Sequence, residues 1–329
     1  MNRSLRILGI VLVLILVQLA CTMPAGLGGE SSAQQTEIAM GIQETMLVQQ
    51  QQTLDAAGDA GGIATYTPQP TFAVGSEPVV PPTATVTPTI TLEPTPDKDV
   101  FLANAKILLY EDMRVMADAR PMTALNNLGL KYVDSQARMG DFMGKLNSGT
   151  NWDLVIMAAE SHDLISGDYM DLLVQHLNRD GALVMEIWYI DEIASGKVSN
   201  VLHKCGLEFQ KDWNRPVNFD PLNYSLYWLD QTNPVLNSPN TVEPLYTSVN
   251  YWIGTDAGDL LRLSGSGDAT MLAGTFRDRK SEYGTLASCL EGRMVIQTFC
   301  THDYKQSQTV ALWENYIMNT LLARFEAMK

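Results

Sequence analysis

Histidine and cysteine are scarce in this chain of 329 residues, four of each, and no His-x-x-x-His pair occurs. The spacing on which metal centres are commonly built is therefore missing, and neither a metal nor a cofactor is expected. Basic residues are also few, 22 Lys and Arg against 37 Asp and Glu, for a formal net charge of −15. That balance argues against nucleic-acid partners and against docking on anionic lipid through a basic patch. Aromatic residues almost vanish between Glu30 and Asp97, where Tyr66 and Phe72 stand among Gln, Thr, Pro, Ala and Gly. Such a stretch cannot bury enough apolar area to offset its ordering entropy.

Three unequal segments follow from these composition shifts: residues 1–20, residues 21–97 and residues 98–329. Within the second, the Thr-Pro steps Thr67-Pro68, Thr87-Pro88 and Thr95-Pro96 favour an extended, polyproline-like backbone, so the segment reads as a disordered stalk. Residues 36–54 contain no Pro and set Ile38, Ile42 and Met46 at helical spacing, which predicts a short helix. Met40, Leu47 and Leu54 fall seven apart, but two or three heptads without flanking charge pairs are too few for a coiled coil. The third segment holds all six tryptophans and has apolar periodicity throughout, as expected of one globular domain.

The N-terminus carries Arg3 and Arg6 before the apolar run Ile7 to Val17, which is short for a bilayer-spanning helix and has the length of a signal-peptide core. The run leads to Leu19-Ala20-Cys21, which resembles the cleavage site of bacterial lipoproteins, with Gln18 where that family prefers an aliphatic residue. The resemblance implies cleavage before Cys21, attachment of diacylglycerol to its thiol and usually N-acylation with a fatty acid such as palmitate. The mature chain would then be tethered to a bacterial membrane on its extracytoplasmic face. An uncleaved signal anchor, with Cys21 a bystander, would leave the rest of the chain on the same side.

In the third segment, strands are expected at Lys106–Tyr110, Lys131–Val133, Asp153–Ala159 and Ala182–Tyr189. Helices are expected near Pro121–Leu128, at Asp141–Leu146, at Gly167–Leu177 behind a Ser166 cap, and around Val198–Cys205. Strand and helix in alternation imply a parallel, doubly wound α/β sheet with helices on both faces. After an aromatic, Pro/Asn-rich stretch from Trp213 to Tyr251, further strands are expected at Asp259–Leu263, Thr270–Gly274, Gly284–Leu290 and Met294–Phe299. A final helix over Thr309–Met328 should bury Val310, Trp313, Ile317, Leu321 and Phe325.

The runs KILLYED from Lys106, NWDLVIMAAE from Asn151, NRDGALVMEIW from Asn178 and GRMVIQTFCTHDY from Gly292, with the WENYI helix from Trp313, together resemble the class I glutamine amidotransferase-like fold, closest to ThuA-like proteins. The resemblance covers most of residues 98–329 and implies a flavodoxin-like sheet. Active members of the amidotransferase branch set a nucleophilic Cys on a tight, glycine-flanked turn near backbone N–H donors. Here that stretch reads Met185-Glu186-Ile187-Trp188, the oxyanion loop is replaced by Ala159-Glu160-Ser161-His162, and the His-x-Glu pair is reduced to His302-Asp303. Glutaminase chemistry is not expected, and the domain reads as a binding or scaffolding module at the cell envelope.

Open α/β sheets bind ligands at the carboxyl ends of their strands, and Glu111, Asp112, Glu160, His162, Glu186, His302 and Asp303 are expected there. Acid/base work by Glu160, His162, Glu186, His302 and Asp303 in an extracytoplasmic hydrolase is the rival reading. His176 reads as a packing residue and His203 as exposed. Trp213, Tyr227, Trp228 and Trp252 suit carbohydrate stacking, or core filling beneath a long loop. Among Cys205, Cys289 and Cys300 an odd number leaves one thiol over. A turn at Glu291-Gly292-Arg293 sets Cys289 opposite Met294 or Val295, away from Cys300.

Overall fold

Ile107-Leu108-Leu109-Tyr110 alternates between two apolar surfaces, and that is why it lies in the middle of a sheet covered on both sides. In the computed structural model, which describes residues 97–161, 167–216, 218–247 and 256–329, strand β1 (Ile107–Glu111) is buried along its whole length. Ile107 and Leu109 point into one core, and Leu108 and Tyr110 into the other. The expected lipid-attachment residue Cys21 and the helix over residues 36–54 lie outside the described residues, as do Ser166, His162 and Trp252.

The chain opens with α1 (Lys98–Asn104), capped by the Asp97 carboxylate, which accepts from Asp99 N at 2.8 Å, and continues into β1. Then follow α2 (Arg120–Asn127), β2 (Val133–Asp134), α3 (Met139–Leu146), β3 (Leu154–Ala159), α4 (Asp168–Asn178) and β4 (Ala182–Ile187). The short α5 (Ile190–Ile193) and α6 (Val198–Cys205) lead to β5 (Leu207–Asn214), β6 (Leu226–Trp228) and α7 (Pro234–Asn237). The last part comprises β7 (Asp256–Leu263), β8 (Thr270–Thr275), β9 (Tyr283–Gly284), β10 (Leu286–Cys289), β11 (Met294–Gln297) and α8 (Gln306–Ala327).

Eight strands form the main sheet in the order β2-β1-β3-β4-β11-β10-β8-β6. Strands β2, β1, β3, β4 and β11 pair in parallel, and β10, β8 and β6 extend the sheet in antiparallel fashion. Helices α1, α2, α7 and α8 cover one face and α3, α4 and α6 the other, so the expected mainly parallel, doubly wound architecture is present. Its first four strands follow the flavodoxin-like 2-1-3-4 order. Helix α8 buries Val310, Trp313, Ile317, Leu321 and Phe325 as its periodicity requires.

Three features differ from the sequence expectation. Strand β5 was not foreseen, because register shifts at Phe209/Lys211 and Asp212/Asn214 break the two-residue alternation by which a strand is recognised. It pairs with β7, and β7 with β9, in a second, antiparallel sheet. The run Gly284–Leu290 is not one strand: Gly284 ends β9 in the second sheet, and Leu286 starts β10 in the first. At that crossing a Cβ on Gly284 would stand 2.0 Å from the Ala273 carbonyl oxygen, so only glycine permits the approach. The aromatic middle stretch is more ordered than its composition suggests, because Asn315 in α8 receives Asn240 N and donates to Asn240 O, each at 2.8 Å.

Cys289 lies opposite Met294 across the expected turn. It is bonded to Cys205 at the end of α6, while Cys300 stays a buried free thiol. The Cys205–Cys289 bridge closes 84 residues of chain, which in the loop-entropy account stabilises the fold by about 4–5 kcal/mol. The Cys205→Ser/Cys289→Ser double variant should therefore lose several kcal/mol in urea unfolding, and reduction of the wild type should match it. An unchanged midpoint in both would show that the bridge does not stabilise the fold.

Candidate functional site

The parallel strands deliver their carboxyl ends to one edge, where Asp112 follows β1, Glu160 follows β3, Glu186 lies near the end of β4 and Thr301–Asp303 forms a 3-10 turn after β11. The sheet thus brings together Glu160, Glu186 and His302 from positions up to 142 residues apart. The His302 ring contacts Glu160 Oε2 through Nδ1 at 2.6 Å, and His302 N donates to Glu160 Oε1 at 3.0 Å. On its other side Nε2 lies 3.0 Å from the Asp118 carbonyl oxygen. Burial opposes the charge on His302, but the Glu160 hydrogen bond and its negative charge outweigh it, so the imidazole pKa is raised.

Glu186 accepts from Gln297 Nε2 at 2.8 Å and from Thr301 N at 2.9 Å. Gln297 is held in turn by the Tyr316 hydroxyl, which donates to its Oε1 at 3.0 Å. Burial first, and the neighbouring Glu160 second, push Glu186 well above the usual carboxylate range. Next to this pair, Trp188 Nε1 donates to the Glu160 carbonyl at 2.7 Å. The indole of Trp188 is buried, and the only free thiol among the described residues, Cys300, is buried with its pKa raised by that burial.

Asp303 belongs to a separate contact: it pairs with Arg215, and both side chains are buried. Arg215 and Arg120 carried no sequence signal, since each acts on residues far along the chain. Arg120 bonds Asp118 Oδ2, the carbonyls of Thr301 and Tyr304 and the Thr309 hydroxyl. The aromatic candidates scatter. Trp213 stacks on Tyr224 with centroids 5.8 Å apart, Trp228 is buried and donates to the Val242 carbonyl, and Tyr227 lies under the Arg279 guanidinium. His176 is a buried packing residue 2.8 Å from the Ala182 carbonyl oxygen, with burial lowering its pKa to about 4, and His203 is exposed.

Beside the network, Glu111 keeps Oε2 on Met122 N at 3.2 Å, and among the described residues its Oε1 has no hydrogen-bond partner. Desolvation raises its pKa to about 8. Among the described residues no group of three or more His, Cys, Asp or Glu side chains is placed to hold a metal ion, and no helix is long and apolar enough to cross a membrane.

No protein-family model matches the sequence, and no curated protein does either. Similar solved structures include a protein from Thermoplasma acidophilum described as a candidate GMP synthase component, 9% identical, covering 68% of this chain and 98% of its own, with a TM-score of 0.40. A glutamine amidotransferase from Thermotoga maritima is 10% identical over 68% of this chain and 97% of its own, with a TM-score of 0.38. The likeness is one of chain path alone, at low identity.

The pH dependence of stability is set by the raised carboxyls Glu111, Asp256 and Asp259 and by His302. Together they outweigh the opposite contribution of His176, whose lowered pKa adds stability as pH rises from about 4 to 6.5. A carboxyl raised from 4.5 to about 8 binds its proton more tightly when folded, so stability falls as pH rises between those values. His302, raised above 6.5, contributes stability that is complete below 6.5 and lost as pH climbs through its folded value. The domain should therefore melt at a higher temperature at about pH 5 than at about pH 8. Glu111→Gln should remove part of that slope by raising the pH 8 value. A flat profile, or a Gln variant with the wild-type slope, would contradict the assignment.

Proposed function

We propose that this chain is a lipid-anchored protein of the bacterial envelope whose extracytoplasmic domain, a ThuA-like variant of the amidotransferase fold without amidotransferase chemistry, works by binding or scaffolding. The observation that carries this reading is the fate of the polar side chains at the strand ends. Glu160, Glu186 and His302 are 2%, 1% and 3% exposed. Both ring nitrogens of His302 are within hydrogen-bond distance of Glu160 or of the Asp118 carbonyl. A general base must reach the proton it abstracts, and a ring engaged on both sides in a closed layer offers it no path.

Export is supported by two independent features. Arg3, Arg6, the Ile7–Val17 run and Leu19-Ala20-Cys21 fit a lipoprotein leader. The Cys205–Cys289 disulfide is a bond that persists in oxidising compartments and is rare in the cytosol.

The test has two arms. In a bacterial host fed an alkyne-tagged palmitate, the full chain should incorporate label and sediment with membranes, and Cys21→Ala should lose both. Protease added to intact spheroplasts should digest the domain. An unlabelled wild type or a protected domain would end the anchor reading. Purified protein should release no ammonia from glutamine above buffer, and amide hydrolysis that disappears in His302→Gln would overturn the non-catalytic reading.

A further inference from the structure

A cleft of about 350 Å³ opens at the carboxyl ends of β1 and β3, lined by neither Glu160 nor His302. Its place is the switch point of the sheet: the strand order runs from β1 outward to β2 on one side and to β3 on the other, and such a reversal leaves a crevice between the crossovers. Tyr110, Val115, Met116, Ala137 and Met139 give it mainly apolar walls, with Asp112 and Ser161 as the polar part of the lining. Val115 is 75% exposed and Met116 53% exposed, so two large apolar side chains stand in solvent at this spot.

Asp112 is the unusual member. The residue is 5% exposed. Its Oδ1 accepts from Glu160 N and Ser161 N, each at 3.0 Å, the Ser161 side chain also favours its charged form, and among the described residues no hydrogen-bond donor reaches Oδ2. A carboxylate oxygen so placed costs free energy unless a donor reaches it. Among the described residues, no cation faces Asp112 unpaired. Glu160 follows β3, Glu186 lies near the end of β4, Glu111 precedes Asp112 on its own strand, and Tyr169 and Tyr189 face it from α4 and from beyond the end of β4. Arg114, the nearby cation in the turn after β1, is engaged by Asp134.

We propose that this cleft is a binding site for a small organic cation, a primary ammonium on an apolar body, whose N–H groups meet Asp112 while the body packs on Tyr110, Val115, Met116 and Met139. The size suits a small molecule, and the pattern of apolar walls with one placed polar group is that of ligand sites in general. The Tyr110 ring adds an aromatic surface to which cations are drawn. Burial, the largest effect on Asp112, raises its pKa to about 6, so the carboxylate is charged at neutral pH. This assignment deepens the binding role proposed above and rests on it, but does not depend on the anchor.

Calorimetric titration of the full chain in detergent with benzylamine, against benzyl alcohol as an uncharged isostere, tests it. Saturable binding of the amine and not the alcohol is expected at about pH 8, weakening about tenfold at pH 5 as Asp112 takes its proton. Asp112→Asn, which keeps an oxygen for Glu160 N and Ser161 N, should abolish it. Ala137→Trp should also abolish it by filling the cleft, with an unchanged melting temperature, which separates a blocked site from a misfolded one. Equal binding of amine and alcohol, persistence in either variant, or no binding by wild type would overturn the assignment. Membrane labelling and ammonia release read the anchor and the absence of turnover separately, so failure here would leave those results standing.

Discussion

Everything at the functional edge of this domain depends on how it buries carboxylates. Taking an ionised carboxyl out of water costs several kcal/mol unless donors replace the lost solvent. Here the three-residue turn after β11 supplies them: Thr301 N serves Glu186, and His302 N and its ring serve Glu160. The carbonyl of Thr301 is taken up by Arg120 from α2, and Asp303 is paired with Arg215, just past the end of β5. One turn is thereby tied to β3, β4, α2 and the segment that leaves the second sheet. Because α8 begins just beyond it, the longest helix of the domain takes its starting point from these polar contacts as well as from Trp313, Ile317 and Leu321 in the core.

The same burial engages the polar groups at the strand ends with one another. Catalytic groups must keep a lone pair or a proton available to a substrate, whereas His302 spends one nitrogen on Glu160 and the other on a backbone carbonyl. Glu186 sits among donors that favour its oxygens, yet burial and Glu160 together favour its protonated form. Such a carboxyl holds the turn in place through accepted hydrogen bonds without needing its charge. Trp188 closes the layer from the β4 side with a bond to the Glu160 carbonyl. A buried polar layer in which each member satisfies another is rigid and costly to open.

The architecture was legible wherever a single local pattern was decisive. Continuous apolar runs at β1, β3 and β4 declared strands covered on both faces, and the α8 stripe appeared at its 3.6-residue period. The Glu291-Gly292-Arg293 turn left Met294 or Val295 as the hairpin partner of Cys289, and it is Met294. Legibility failed where long-range contacts override local ones. The bulges of β5 erase its alternation, and Arg120 and Arg215 look like ordinary surface arginines until residues 181 and 88 positions away reach them. Strand-end acids could be named in advance because topology alone carries them to one edge. Which of them close on each other and which face a cleft depends on loop paths that no propensity encodes.

The Asp112 carboxyl is raised less than those of Glu111, Asp256 and Asp259. Burial raises Glu111 to about 8, Asp256 to about 7 and Asp259 to about 9, so those carboxyls are neutral or partly so near pH 7. Asp112 is also raised by burial, but only to about 6, because the Ser161 side chain adds a hydrogen bond to those of the Glu160 and Ser161 backbone N–H groups. Asp259, which likewise holds two consecutive N–H groups, of Ile190 and Asp191, is pushed up further by the Asp191 and Asp256 charges. Hydrogen bonds to the charged form favour it. The loop that lacks a glycine-rich oxyanion cradle thus still presents paired N–H donors, but they are aimed at a side chain of the protein itself. Their effect is to favour a negative charge at the wall of a mainly apolar cleft.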